Sequence, residues 1–369
     1  MKILYVSHLH PPKNKPLKNV GGMQNVSVQM TNALNRKEEI DLKMLILNTS
    51  WRFIGFKTFL FLLTLLWKIP RDVKRYNPDV ILFSSMVTAS ILPVMKHVPV
   101  PKVTINHGQD VTLPVKIYQW YLKFVFKQLD GVISVSSATR KASIKRGLDP
   151  HKGVVLPNGF EKLTKGELPS RKTAVNFIEK ELIGNLEGKK ILLTVGRQVK
   201  RKGHVWFIED VLPKIKSDVL YLIVGSGPEF NNIQNVVEKS PIKEQIVMTG
   251  KLSKDLLNVC YAAADLFIMP NIPVPGDMEG FGIVLLEANR AGVPAIASDL
   301  EGIKDVIEQG INGYRISAGD SMAFATKIDD VLNNDLETLS KRSKEYVTNT
   351  YDWDVVVEKY IAFLKQMNE

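Results

Sequence analysis

Short, continuous apolar runs rich in β-branched residues recur along this chain, with helical stretches between them, and that alternation constrains the fold more than any other feature. Six runs fall in the first half: Lys2–Ser7, Leu42–Asn48, Asp79–Ser85, Lys102–His107, Gly131–Ser137 and Gly153–Asn158. Six more fall in the second: Lys190–Gly196, Val219–Gly225, Gln245–Gly250, Asp265–Asn271, Val293–Ser298 and Gly313–Ser317. Strands that are apolar throughout, rather than at alternate positions, are buried on both faces, as in parallel sheets covered by helices. The pattern predicts βαβ units and an α/β fold of two doubly wound, Rossmann-like sheets.

At 369 residues the chain also exceeds what one core usually supports. The expected layout is a first domain over 1–165, a linker over 166–188, a second domain over 189–348 and a C-terminal helix over 349–369. The linker reading rests on polar composition punctuated by Gly166, Pro169 and Gly188. The N-terminal apolar run, Ile3–Val6, is shorter than the roughly 7–15 residues of a secretory signal, so it reads as a strand. The single cysteine, Cys260, excludes an internal disulfide and fits a reducing cytoplasm. Within the apolar run Leu256–Ala264 it reads as a small buried hydrophobe.

Charge is uneven. Residues 1–170 hold 25 Lys and Arg against 10 Asp and Glu, a net of +15, while the remainder nets −4. The first half is therefore expected to meet an anionic surface: a membrane, a phosphate-bearing substrate or nucleic acid. No zinc-finger spacing, RNA-binding signature or basic zipper is present, so nucleic acid is not expected.

Four segments carry candidate chemistry. In Asp277–Pro294, glycines 280 and 282 flank Phe281, a helix is expected over Ile283–Ala291, and Glu279 and Glu287 are separated by seven residues. Free N–H groups around Gly282, Ile283 and Val284 would form an anion site at the helix start. Glu279 and Glu287 could then bond sugar hydroxyls on either side of a diphosphate. Read alone, the segment equally suits a buried helix with two solvated glutamates. Gly196–Gly203 follows a strand and includes Arg197 and Lys202, which suit phosphate oxygens, although a solvated basic turn fits Lys200 and Arg201. Gly21-Gly22 stands between the first strand and a helix; such loops cradle phosphate, but alone this one reads more readily as a flexible turn. His107-Gly108 sits at a strand end, placed to face a ligand or simply satisfied in a turn. No companion His, Asp or Glu has metal-ligand spacing, so no metal site and no cofactor is expected.

Taken together, these segments resemble the retaining glycosyltransferases of family 4. The resemblance rests on Gly196-Arg197-(x)4-Lys202-Gly203, then Ile223-Val224-Gly225-Ser226-Gly227-Pro228-Glu229, then Glu279-(x)7-Glu287, in that order. Gly21-Gly22, His107-Gly108, Leu156-Pro157-Asn158-Gly159, Ile311-Asn312-Gly313-Tyr314 and Tyr351-Asp352-Trp353 fall where that family has similar pieces, so almost the whole chain is covered. The resemblance implies the GT-B fold, two Rossmann-like domains facing across a cleft, with the C-terminal helix crossing back onto the first. It implies that Arg197 and Lys202 hold the diphosphate of a UDP or GDP sugar, assisted by Gly22, Gly225 and the backbone at Gly282, Ile283 and Val284. Glu287 would bind the ribose; Glu279 and His107 would lie near a hexose-type sugar. The implied reaction is metal-independent transfer with retention, in cell-envelope polysaccharide or glycolipid synthesis. The chain departs from the family at Leu300-Glu301-Gly302, where the family often has Gly-Gly before its glutamate. Pro273–Met278 resembles the subgroup that includes phosphatidylinositol mannosyltransferases.

Two stretches bear on the acceptor. Phe53–Ile69 is strongly apolar but interrupted by Lys57, shorter than the roughly 20 residues of a span. Basic and aromatic residues continue to Arg75, as in an interfacial helix, and Lys116–Lys127 mixes aromatics with lysines. An anionic membrane surface is thus an expected partner through 53–75 and 116–127, alongside a nucleotide-sugar donor and a sugar or lipid-linked acceptor. The expected location is cytoplasmic, peripheral on the inner face of the membrane; packing of both helices on the first sheet is the competing reading. A non-hydrolysing sugar-nucleotide epimerase shares the architecture, and a transferase with a soluble small-molecule acceptor would too. The Glu279/Glu287 pair with Arg197 and Lys202 favours transfer over epimerisation. The turn Gly225-Ser226-Gly227-Pro228 lacks the third glycine of a dinucleotide oxidoreductase.

Overall fold

The computed structural model describes residues 1–11, 22–48, 54–163, 166–184, 186 and 188–368. Gly21, the loop before it and Phe53 lie outside them. The chain forms two compact units. One comprises Met1–Glu161, Gly276–Phe281 and Tyr351–Glu369; the other comprises Lys162–Pro275 and Gly282–Thr350.

The first unit holds β1 (Lys2–His10), β2 (Asp41–Asn48), β3 (Val80–Phe83), β4 (Lys102–Asn106), β5 (Gly131–Ser134) and β6 (Gly153–Val155), in the order β2-β1-β3-β4-β5-β6. The second holds β7 (Lys190–Val195), β8 (Val219–Val224), β9 (Ile246–Gly250), β10 (Leu266–Met269), β11 (Ala295–Ser298) and β12 (Gly313–Ile316), in the order β12-β11-β10-β7-β8-β9. All neighbours pair parallel. Every strand read from the sequence is present, and the two doubly wound sheets are those expected.

Strand ends differ for identifiable reasons. The run to Ser85 stops at Phe83 because Ser85 caps the short helix Met86–Ala89, its side chain accepting from the Thr88 N–H. The run to Ser137 stops at Ser134 because Ser136 caps Ser137–Ile144 in the same way. Conversely, β1 runs past Ser7 to His10, where it still pairs with Asn48. Strands β3, β5, β8, β10 and β11 are buried at every position, which is why their sequences show no alternation.

One face of the first sheet, carrying Leu4, Val6, Ile81 and Phe83, packs against helices Ile54–Tyr76 and Lys116–Gln128. The C-terminal helix Trp353–Gln366 belongs to the same unit and buries Trp353, Val357, Tyr360 and Leu364. The Trp353 indole N–H donates to Gln29 of helix Gly22–Asn35 at 3.1 Å. In the second unit, Tyr221, Ile223, Ile268 and Ile296 pack with Phe207, Phe324 and Ile328.

The polar stretch 166–188 is not the plain linker read from composition. It carries a helix, Arg171–Ile178, capped by Ser170 and packed on helix Lys254–Ala263. Only Ala174 and Ile178 form its buried stripe, too short an apolar repeat to stand out in sequence. Arg171 anchors it through an ion pair to the buried Asp265 at 2.7 Å.

Candidate functional site

In an open parallel sheet, ligands bind beyond the carboxyl ends of the strands, where the winding reverses direction. The second unit winds β7, β8, β9 to one side and then returns to place β10, β11 and β12 on the other. Its switch point lies between β7 and β10. The loop after β7 begins with Gly196 and contains Arg197 and Lys202; the segment after β10 begins with Pro270.

This corner is tightly built. Gly196 and Gly225, at the ends of β7 and β8, are so close that a Cβ on Gly225 would lie 1.9 Å from the Gly196 carbonyl oxygen. Gln198 ties the two loops further: its N–H donates to Ser226 and its side-chain amide to the Gly225 carbonyl, both at 3.0 Å. The turn Lys200–Lys202 is joined to the chain after β10 by the Ile272 N–H, which donates to the Arg201 carbonyl at 2.9 Å. Lys202 is buried, with its ammonium beside Gly196. Arg197 is exposed and, among the described residues, has no partner. His204, bonded to the Tyr221 hydroxyl at 3.1 Å, is pushed down to about 3 by burial and by the Lys202 charge, so it is neutral at physiological pH.

Helix Ile283–Arg290 starts at Gly282, whose φ of 85° is left-handed, with no side-chain cap on the first amides. Ile283 and Val284 open that helix, and their N–H groups have no helical acceptor. Glu287, one turn on, is not a solvated surface glutamate. The Tyr261 hydroxyl donates to its Oε2 at 2.9 Å. Burial raises its carboxyl above the usual range, against the opposing pull of Arg290, Tyr261 and Lys254. A cavity of about 260 Å³ opens beside the turn, lined by Lys200, His204, Trp206, Glu229 and Ile272; neither Arg197 nor Glu287 lines it.

The first unit has its own switch point, between β1 and β3. His107, at the end of β4, donates from Nε2 to the Ser84 carbonyl just past β3 at 2.9 Å, and its N–H donates to Asp110 Oδ1 at 2.8 Å. The other oxygen of Asp110 accepts from the Met86 N–H at 3.1 Å, so one buried carboxylate joins two strand-end loops. His8, on β1, is pushed down to about 4 by burial and by the charge of His107. Glu279 is buried within Gly276–Phe281, which packs into this unit. A Cβ on Gly280 would lie 1.9 Å from the His107 carbonyl, and Gln109 bonds Asp277 at 2.9 Å.

Arg197, Lys202 and Gly225 thus share one corner of the second unit, with the start of the Glu287 helix following β10. His107 and the Glu279 segment meet in the first. Gly22 is the exposed first residue of its helix. Tyr261, Asp110, Ser84 and His8 were not picked out for roles from sequence. Tyr261 hid in an apolar run, and the other three gained meaning only from neighbours distant in the chain. Glu301, where the family pattern has glycine, holds a left-handed φ of 45°.

Comparison with known proteins agrees with this architecture. The family model described as "Glycosyltransferase Family 4" matches residues 20–162, and "Glycosyl transferases group 1" matches 177–353. The phosphatidyl-myo-inositol mannosyltransferase of Mycobacterium leprae is 30% identical over 262 residues, 69% of this chain and 64% of that protein. The N-acetyl-alpha-D-glucosaminyl L-malate synthase of Bacillus anthracis is 28% identical over 269 residues, 70% of this chain and 66% of that one. The chain thus spans just under two thirds of these relatives. Anabaena HepE, solved with UDP, superposes with a TM-score of 0.75 at 16% identity, covering 99% of this chain and all of that one, and so shares the GT-B fold. With one model on each half, in the order in which the two sheets follow one another, the chain belongs to glycosyltransferase family 4.

Proposed function

We propose that this protein transfers a hexose-type sugar from a UDP or GDP sugar to a lipid-linked or envelope-polysaccharide acceptor, with retention and without a metal. The observation that carries the reading is the corner after β7 and β8: one loop holds the buried Lys202 and the exposed Arg197, which has no partner among the described residues, at the point where the sheet reverses its winding. A lysine ammonium is a compact point charge and an arginine fork binds two oxygens at once, a combination that suits a diphosphate. The UDP named with HepE, and the mannosyl transfer named for the mycobacterial relative, support a nucleotide-sugar donor.

The chemistry follows from charge. As the glycosidic bond to the diphosphate breaks, negative charge develops on the departing oxygen. In this reading Arg197, Lys202 and the amides at Gly282–Val284 neutralise it, the mode of stabilisation that is usually the largest single term. Glu287, as a carboxylate, accepts from the ribose hydroxyls. Glu279 and His107 serve the sugar side, and Gly22 lies towards the phosphates. The mycobacterial relative's lipid acceptor favours a lipid-linked acceptor here.

A thermal-shift screen of nucleotide sugars identifies the donor, and turnover with extracted lipids or oligosaccharides tests transfer. Lys202→Ala and Glu287→Ala are each expected to cut donor turnover about a hundredfold or more while far-UV circular dichroism stays unchanged. Near-normal turnover in both variants overturns the assignment.

A further inference from the structure

Helix Ile54–Tyr76 carries two apolar stripes, and the sheet needs only one. Phe61, Leu65, Ile69 and Val73 are buried against the first sheet. Phe56, Phe59, Leu60, Leu63 and Trp67 repeat at helical spacings of three and four, and all stand in solvent; Phe56 is 69% exposed and Trp67 70%. Helix Lys116–Gln128 packs into the same core cluster through Leu122, Val125 and Phe126, and presents Ile117 at 73% exposure and Trp120 at 57%. Of the fifteen large apolar side chains exposed among the described residues, ten lie between Phe56 and Trp120. Scattered exposed apolar residues are ordinary; such a concentration on one layer is not.

The charges beside them are of one sign. Lys57, Lys68, Arg71, Lys74 and Arg75 share the first helix, and Lys116, Lys123 and Lys127 the second. Lys123 lies over Trp120 and Phe124, with its Nζ 5.6 and 5.2 Å from their ring centres. Neither helix carries an exposed acid: their only carboxylate, Asp72, is buried and paired with Lys43 and Arg71. A second copy of the chain would bring the same positive charge to this face and repel it. A surface of acyl chains beneath anionic headgroups matches both features. No helix among the described residues is long and apolar enough to cross a membrane.

We propose that this layer docks the first unit onto an anionic membrane, with helix 54–76 lying in the plane of the interface. Phe56, Phe59, Leu60, Leu63 and Trp67 enter the acyl boundary while the lysines and arginines reach headgroup phosphates. The inference is independent of the donor site, because vesicle binding requires no sugar donor, and it supplies a reason why a lipid-linked acceptor would meet this unit.

The test is co-sedimentation of the full chain with vesicles of phosphatidylcholine, with and without phosphatidylglycerol, at low and high salt. The expected result is binding to the anionic vesicles that weakens with salt. It should fall at least about tenfold in the triple variant Leu60→Ser, Leu63→Ser, Trp67→Ser. These side chains are exposed, so the variant should keep its melting temperature, which is checked alongside. A charge variant, Lys74→Glu with Arg75→Glu, should lose the preference for anionic lipid. Absence of binding to anionic vesicles at low salt overturns the proposal, as does equal binding by the triple variant. A dimer in sedimentation velocity that the triple variant dissolves also overturns it, by giving the face to a second copy.

Discussion

Gly225→Ala should damage the donor corner through backbone displacement alone. The added Cβ would lie 1.9 Å from the Gly196 oxygen, whereas real Cβ contacts stay beyond 3.0 Å, so the two strand ends must part by about 1 Å. The φ of +135° adds strain on the order of 1–3 kcal/mol for any residue with a Cβ. The movement has nowhere to dissipate. Gly225 is held on its far side by its N–H bond to Gly250 at 2.8 Å, and on its near side by the Gln198 side chain at 3.0 Å. Gly196 and Gln198 flank Arg197, so the shift reaches the guanidinium that is proposed to hold the diphosphate. A misplacement of about 1 Å in a positioned group costs about a hundredfold in rate. Initial-rate kinetics with the matched donor sugar should show that loss, together with a fall in melting temperature of about 2–4 °C per kcal/mol of strain. Gly319→Ala is the control: its φ is +86° with nothing within 4 Å, so it carries backbone strain without displacement and should leave turnover unchanged. If Gly225→Ala turns over within a few-fold of the unmodified chain and melts no lower than Gly319→Ala, the reasoning fails.

Two further outcomes follow from other contacts. Tyr261→Phe removes a hydrogen bond to a charged acceptor, worth about 1.5–3 kcal/mol. Because that bond lowers the Glu287 carboxyl, its loss lets burial raise the group further, and the acid limb of donor affinity should move to higher pH. A carboxyl raised by folding contributes stability below the ordinary carboxylate range and loses it as pH rises through the raised value. Thermal unfolding across pH should therefore show Tyr261→Phe losing more at neutral pH than in acid, and identical profiles would refute the link. Trp353→Ala empties a fully buried site and strands the Gln29 side chain, so chemical denaturation should register about 3–5 kcal/mol of lost stability; under 1 kcal/mol would mean the C-terminal helix is not anchored there.

Local chemistry was enough to place all twelve strands, because a strand buried on both faces must be apolar at successive positions, and that pattern is visible without knowing any neighbour. The glycine-bounded basic turn at 196–203 and the paired glutamates were legible for the same reason: residue type and spacing travel with the chain. Sequence alone could not separate Arg197 from Lys202, since both are basic residues in one turn; packing against Gly196 buries the lysine and leaves the arginine in solvent. Nor could it pair Tyr261 with Glu287, 26 residues apart on different helices. The stretch 53–69 reads as strongly apolar, and only contact with the sheet decides that Phe61 and Leu65 turn inward while Phe59 and Trp67 remain outside. Periodicity and residue chemistry act over a few bonds and so are written in order along the chain, whereas burial, and the shift in charge that burial imposes, exist only once distant segments have closed upon one another.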